Sequence, residues 1–334
     1  MPDVTIKDVA REVGVSISTV SNILNNKGRV GKETRSKVLR AAAKMNYMPN
    51  SIAVSMIVKK SNLIAVMVPD IITDFYPQVI QGTELAAKQL GLSVIIVCTD
   101  SKREDEMLLF KNRLGKMVDG IIAIPSNNDV EIYNHYKKPL VFVDRVVDKV
   151  NVDSIVIDNY QGAYMATQYL IEKGHKKIGF VSANSDMNVG KERLLGYCQA
   201  LRDFKIPEKS DNIFLGDWHE ETGHHAVEYY NQMSDRPTAV FAANCSICMG
   251  FQKFCIDHQI SIKNDYSLIG FDDHVLANYS VPPITVISRP TIEMGEHAVQ
   301  ILYEKIENLR QGQSYQRIVL PVQLIERDSV ASLL

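Results

Sequence analysis

At 334 residues, 46 % of them hydrophobic and with a net charge of −2, the chain is too long for one small domain and has ample apolar material for a core. No run of about 18 uncharged apolar residues suggests a membrane span. The opening Met1-Pro2-Asp3-Val4-Thr5 lacks the basic and apolar stretches of a secretory signal, and 5 scattered cysteines argue against a disulfide framework, so a cytoplasmic protein is expected.

The near-neutral total conceals a split. Residues 1–60 hold 11 Lys and Arg against 4 Asp and Glu, a net of +7, while the other 274 residues hold 26 against 35, a net of −9. A basic head on an acidic body points to a nucleic-acid-binding module joined to a domain with another task.

In the head, Ile6, Val9, Ala10 and Val13 recur at i, i+3, i+4 and i+7 and form one apolar helix face. Thr5 is a good N-cap, and Asp8 stands where a capping box needs it. Gly14 supplies a tight turn. Ser16 then caps a second helix to about Asn25, which buries Val20, Ile23 and Leu24 and exposes Ile17, Ser18, Ser21 and Asn22. A third helix, roughly Lys32 to Asn46, is expected to bury Val38, Leu39, Ala42 and Met45. Three short helices with Gly in the first turn make a helix-turn-helix whose second helix enters the DNA major groove.

From Asn62 onward, short apolar runs alternate with helical stretches. Strands are expected at 63–68, 93–98, 120–124, 140–143 and 154–157, then at 177–181, 213–215, 239–242 and 267–271. Helices are expected between them, including 76–90, 102–117, 159–173, 191–204, 220–233 and 247–258. Such alternation implies parallel sheets covered on both faces. Two series of about five units suggest two Rossmann-like lobes with a ligand crevice near the carboxyl ends of their strands.

The runs Val4–Ala10, Gly14-Val15-Ser16, Thr19-Val20-Ser21, Leu24-Asn25 and Asn46-Tyr47-Met48-Pro49-Asn50 resemble the head of the lactose-repressor (LacI/GalR) family of transcription regulators. The likeness continues through Pro69-Asp70, Asp144-Arg145, Arg193–Tyr197, Ala243-Asn244, Ile269–Asp273, Pro282–Val286 and Leu324–Ser329. It implies an all-α helix-turn-helix head (1–47) and a hinge helix and linker (48–60). A periplasmic-binding-protein-like α/β core of two Rossmann-like lobes follows, with 61–158 and 290–319 in the N-terminal lobe and 159–289 and 320–334 in the C-terminal lobe.

The resemblance further implies operator DNA with an inverted repeat as partner, and a homodimer. The expected DNA-binding set is Thr5, Ser16, Ile17, Ser18, Thr19, Ser21, Asn22, Asn25, Arg29, Thr34, Asn50, Ala53 and Met56. The family usually has an Arg where this chain has Asn22. Guanidinium pairs with guanine and carboxamide with adenine, so Asn22 is expected to move the preference at that base pair from G towards A, unless it is only a solvated residue or a phosphate contact. Met56 stands where the family places a Leu that wedges between base steps; Met is apolar and unbranched enough for that role, the alternative being a plain linker residue.

By resemblance to sugar-binding members, Asp144, Arg193, Trp218, Asn244 and Asp272 surround the effector, with Phe75 as a further wall. Carboxylates accept from hydroxyls, Arg and Asn fix orientation, and an indole face covers the C–H face of a sugar. Each residue also has a structural alternative: an Asp272–Arg193 ion pair, a packing role for Trp218, a helix cap for Asn244. Cys245-Ser246-Ile247-Cys248 invites a redox or metal reading, but small residues packing at a helix start suit it better. His219, His224 and His225 match no zinc spacing.

No cofactor or metal is expected. The apolar face of 76–90 (Val79, Ile80, Thr83, Ala87, Leu90) is a candidate for part of the dimer surface, though packing on a sheet claims the same kinds of residue, and the absence of a heptad helix after Ser329 points to a dimer over a tetramer. A purine or a phosphoprotein co-repressor in place of the sugar remains as an alternative. A Rossmann-like enzyme is disfavoured, since neither a G-x-G-x-x-G nor a G-x-x-x-x-G-K-[ST] pattern occurs.

Overall fold

The computed structural model describes residues 4–24, 30–47, 60–184, 187–310 and 312–334, apart from the side chain of Arg113. The chain divides into two units, residues 1–61 and 62–334.

In the first unit, α1 (Ile6–Val13) starts at the expected cap. The Asp8 carboxylate accepts from the Thr5 backbone N–H at 3.0 Å and from its hydroxyl at 2.6 Å. These bonds occupy an orphan donor of the first turn and hold the Asp8 pKa below the usual carboxylate value. Gly14 ends the helix at φ 71°, a left-handed conformation that glycine adopts without steric cost, and its N–H bonds to the Ala10 carbonyl. The Ser16 hydroxyl accepts from the Thr19 N–H at 3.1 Å and opens α2 (Ile17–Leu24). α3 (Lys32–Lys44) completes a small core of Val9, Ala10, Val20, Ile23, Val38, Ala41 and Ala42. Leu39, expected in that core, is 46 % exposed. The buried stripe of α3 runs through Val38, Ala41, Ala42 and Met45, and Leu39 lies one step, about 100°, round the helix from Val38.

The second unit is built on twelve strands: β1 (Leu63–Val68), β2 (Ser93–Cys98), β3 (Gly120–Ala123), β4 (Leu140–Val143), β5 (Asp153–Ile157), β6 (Ile178–Ala183), β7 (Ile213–Gly216), β8 (Ala239–Ala242), β9 (Ser267–Phe271), β10 (Thr285–Ser288), β11 (Arg317–Leu320) and β12 (Gln323–Ile325). They form two six-stranded sheets, in the orders β11-β5-β4-β3-β1-β2 and β12-β10-β9-β8-β6-β7. The first is wholly parallel, with Ile64 opposite Val94 and Val141 opposite Asp153. In the second, β12 alone runs antiparallel, against β10. The chain passes between the sheets after β5, after β10, and between β11 and β12. Strands such as β3, β4, β8 and β9 are buried along their whole length, as parallel strands covered on both faces must be.

Two expectations change here. The helix expected over 102–117 is two helices, Arg103–Lys111 and Arg113–Met117, because Asn112 is extended and its side chain accepts from the N–H groups of Leu114 (2.9 Å) and Gly115 (3.3 Å) to start the second. The face suggested as a dimer surface is inside the molecule: Val79, Thr83 and Ala87 are fully buried. Helix Phe75–Gln89 lies so close to helix Thr291–Ile306 that a Cβ on Gly82 would stand 2.0 Å from the Ile292 carbonyl oxygen. The outward side of that region carries instead Leu85, 43 % exposed, and Ile96 on edge strand β2.

Two buried histidines make the stability of the core depend on pH. His175 is buried, with Nδ1 2.9 Å from the Thr238 hydroxyl and Nε2 3.2 Å from the Ala331 carbonyl oxygen. His274 is buried as well, and burial lowers the pKa of both imidazoles below 6.5. The unfolded chain therefore takes up these protons first. Stability present above about pH 6.5 is lost as the pH falls towards the lower folded values. The expected result is a lower urea midpoint at pH 5.5 than at pH 8, and a smaller drop in a His175→Asn, His274→Asn double variant.

Candidate functional site

Two regions gather the residues singled out in the sequence. On the head, α2 presents Ile17, Ser18 and Asn22 outward, with Thr19 and Ser21 half-buried beside them. The Ser16 hydroxyl lies 2.8 Å from both the Ser18 and Thr19 hydroxyls, so this polar cluster is pre-ordered at the start of the helix. Thr34 is half-buried near the start of α3, and the Thr5 hydroxyl is held by Asp8. Asn25, Arg29, Asn50, Ala53 and Met56 lie outside the described residues. Among the described residues of the head, the acids Asp8, Glu12 and Glu33 pair with Arg11, Lys44 and Lys37. Exposed pairs of this kind are worth little, and they leave a marked excess of basic groups.

The second region is a cavity of about 230 Å³ between the carboxyl ends of the two sheets. Phe75, Asp144, Arg193, Trp218, Asn244 and Asp272 all line it. Asp144 follows β4 and Asp272 follows β9, each in a left-handed conformation, with φ of 64° and 83°. Each N–H bonds to the next strand, at 2.8 Å to the Ile155 and Ile287 carbonyls respectively. The two lobes thus aim equivalent carboxylates into the crevice.

Between them stands Arg289, a residue sequence reasoning missed. Its terminal nitrogen donates to Asp144 Oδ1 at 2.5 Å, and its Nε makes a 2.5 Å ion contact with Asp272 Oδ1, off the hydrogen-bonding direction. Phe75 stacks beneath this guanidinium, 3.6 Å from its carbon to the ring centroid. Burial alone would lower the Arg289 pKa, but Asp272 and Asp144 outweigh it and hold the pKa above its ordinary value. The available signal was position: Arg289 directly follows β10, and ligands in such folds meet residues at carboxyl strand ends.

Arg193, on helix Asn188–Asp203, is 2 % exposed. Its Nε donates to Asn159 at 2.9 Å, a terminal nitrogen donates to the Ala243 carbonyl, and its plane lies over Phe271. The Asp272–Arg193 pair considered as an alternative does not form, because Arg289 takes Asp272. Asn244 does cap its helix: Oδ1 accepts from the Ile247 N–H at 2.8 Å, and Nδ2 donates to the Trp218 carbonyl at 3.1 Å. It therefore ties the loop bearing the half-buried indole to the crevice wall. Cys245 lines the same cavity and Cys248 lies behind it, within contact distance of Gly270. Burial pushes both thiols up, Cys245 to about 12, which opposes the thiolate that redox or metal chemistry needs. His224 packs edge-on against Phe254, and no group of three or more His, Cys, Asp or Glu among the described residues is placed to hold a metal.

A helix-turn-helix joined to a two-lobed core, with a charged crevice facing both sheets, is the build of a DNA-binding regulator that also binds a small ligand. Residues 5–50 match the model of bacterial regulatory proteins of the lacI family, and residues 61–328 match that of periplasmic binding proteins and the sugar-binding domain of the LacI family. The ribose operon repressor of Haemophilus influenzae is 33 % identical over 333 residues, covering 98 % of this chain and 99 % of its own. The PurR repressor of Vibrio atlanticus is 32 % identical over 335 residues, with the same coverage of 98 % and 99 %. A lac repressor dimer bound to operator and an anti-inducer superposes with a TM-score of 0.87 at 27 % identity, covering 98 % of this chain and 99 % of that one. The chain belongs to the LacI family and is a transcriptional regulator with a helix-turn-helix DNA-binding head. Among the described residues, no helix is long and apolar enough to cross a membrane.

Proposed function

We propose that this protein is a transcriptional repressor that binds an inverted-repeat operator as a homodimer and is controlled by a polyhydroxylated small molecule held between its lobes, without catalysing a reaction. The observation that carries this is the meeting of Asp144 and Asp272, one from each lobe, on the single guanidinium of Arg289 in a cavity lined by all six expected effector residues. A ligand hydroxyl that engages either carboxylate competes with this bridge, and so changes how the lobes meet. Lobe movement then reaches the hinge, taken as residues 48–60, and with it the placement of the heads. The lobes are taken as 61–158 with 290–319 and 159–289 with 320–334.

A sugar suits the walls better than a purine does. One face each of Phe75 and Phe271 is covered by Arg289 and Arg193, and the half-buried indole of Trp218 is the aromatic wall that suits the C–H face of a sugar. Leu85 and Ile96 mark the surface for the partner protomer. In DNA binding, Ile17, Ser18, Ser21 and Asn22 face the bases, Thr5, Ser16, Thr19, Asn25, Arg29 and Thr34 face phosphates, and Asn50, Ala53 and Met56 enter the minor groove. The purified protein is expected to bind such an operator and to change its affinity with one sugar. Arg193→Ala and Asp272→Ala should retain operator binding and lose the response; loss of neither function in both variants would overturn the assignment.

The exposed carboxamide of Asn22 carries a separate expectation. Binding-site selection with the wild type should return A at the base pair it faces, and Asn22→Arg should move that preference to G, by about 1–3 kcal/mol of discrimination. A strong G with the wild type, unchanged in Asn22→Ala, would reduce Asn22 to a solvated residue.

A further inference from the structure

The two sheets are tied to each other twice, and in the same way each time. β1 and β6 hold the fifth place in their sheets, β4 and β9 the third. At one junction, the Asp74 carboxylate stands between β1 and helix Phe75–Gln89 and accepts from the Val275 N–H at 3.0 Å, shortly after β9 of the other sheet. At the second, Asn188 opens the helix that follows β6, and its side-chain oxygen accepts from the Val146 N–H at 3.2 Å, shortly after β4. Each sheet thus offers one side-chain acceptor and receives one, at equivalent places.

Local chemistry would spend these oxygens differently. Asn112, Asp129, Asp158 and Asn244 each cap their own helix. Asp74 stands at an N-cap position too, but its backbone is helical there (φ −59°, ψ −23°), and its side chain makes no capping bond. Its stabilising contact goes across the crevice instead. Both receiving loops are braced from their own side. After β4, the Asn128 carboxamide accepts from the Asp148 N–H at 2.9 Å and donates to its carboxylate at 3.0 Å. After β9, Arg327 holds Asp273 at 2.8 and 3.0 Å, and the His274 ring accepts from the Ala277 N–H at 3.2 Å. A bond between two braced elements cannot follow a movement of one sheet against the other, so it is made in one arrangement and lost in another.

We infer that Asp74 and Asn188 are a matched pair of clasps that favour the arrangement of the two sheets seen here, and so set the operator affinity from which an effector moves the protein. The inference rests on the lobe-controlled reading given above and names residues that bias its equilibrium. A ligand shifts such an equilibrium only by its differential affinity for the two arrangements, so weakening a clasp alters both the starting point and the size of the response. Loss of one clasp should change the equilibrium about three- to tenfold, the scale of one hydrogen bond.

Amide hydrogen exchange of the full-length protein, followed in the segments that hold Val146 and Val275, tests the pair. Asp74→Ala necessarily frees the Val275 N–H, and Asn188→Ala the Val146 N–H. The clasps predict more: each variant should also speed exchange at the opposite junction by about three- to tenfold, because both bonds belong to one arrangement. Asp74→Asn, which keeps an acceptor oxygen, should leave the Val146 segment close to wild type. Exchange in β3 and β8 is the internal control, since a variant that merely unfolds speeds it there as well. Val275→Pro removes the donor in place of the acceptor and covers that case. Val275 is the first residue of its helix and His274 before it is extended (φ −117°, ψ 158°), a setting that proline accepts. It should speed exchange at Val146 as Asp74→Ala does. Operator affinity without added sugar should move in one direction in both single variants and further in the double variant. Acceleration confined to each variant's own junction overturns the clasps and leaves the ligand-controlled reading intact. Acceleration at both junctions with unchanged operator affinity overturns the regulatory role together with the lobe-to-head coupling on which it rests.

Discussion

Arg289→Ala is expected to destabilise the core by about 3–5 kcal/mol, the range for removing one partner from a buried charge cluster. The substitution deletes a cation that touches both Asp144 and Asp272, and leaves two carboxylates at 3 % and 6 % exposure without it. Both carboxylates are fixed on strand-end turns with positive φ, so neither lobe can readily swing its charge into water. The cost arises from stranded charge, and removing all the charge should relieve it. An Arg289→Met, Asp144→Asn, Asp272→Asn triple variant is therefore expected to recover most of the loss. Urea unfolding of the wild type, the single and the triple variant checks both statements. A loss below about 1 kcal/mol in Arg289→Ala would mean that the bridge contributes little to holding the lobes together.

The second large effect is on DNA binding. Each head carries a net charge of +7 on 60 residues, against −9 on the rest of the chain. Association with operator then releases counterions from the duplex, while the acidic core contributes nothing to that release. Operator affinity is expected to fall at least about a thousandfold between 50 and 200 mM salt, as for proteins that neutralise six or more phosphates. Ligand binding in the screened crevice should change far less over the same interval. Filter or fluorescence titration across four salt concentrations gives the slope; an affinity that stayed flat would contradict the assignment of the basic head to phosphate contact.

Much of this architecture was legible in the sequence because its elements repeat with clear periods. The 3.6-residue spacing of Ile6, Val9, Ala10 and Val13, with Thr5 and Gly14 at either end, placed α1 where it is found. Nine of the strands read as short apolar runs, and the central ones among them have no polar side to interrupt the run because they are covered on both faces. The three strands absent from that reading are of another kind. β10 begins with Thr285 and ends on Ser288, while β11 and β12 are four and three residues long and start with Arg317 and Gln323. Their place depends on pairing with β9, β5 and β10, partners far away along the chain, which local composition does not encode.

The site followed the same division. Six effector residues were named, and they meet in one cavity, but the groups that complete it were not seen. Arg289 follows a strand that was not read, so the positional signal at its carboxyl end went unused. The misplaced dimer face has a related cause. Val79, Thr83 and Ala87 look like any apolar helix face, and only the backbone contact at Gly82, with helix Thr291–Ile306 more than 200 residues away, shows which surface covers them. Leu39 is a smaller case: in a three-helix head the buried stripe is narrow, and one step of rotation takes a leucine out of it.

Coupling between the crevice and the DNA-reading head is the central claim, and thermodynamic reciprocity tests it most directly. The affinity of full-length protein for its best sugar is measured by calorimetry, once alone and once saturated with operator. Operator affinity is measured with and without the same ligand. Two sites joined through one conformational equilibrium must shift each other by the same factor, and about 5- to 150-fold is expected. Ligand binding that is identical with and without operator, in a protein that binds both, would show two independent functions on one chain and contradict the coupling.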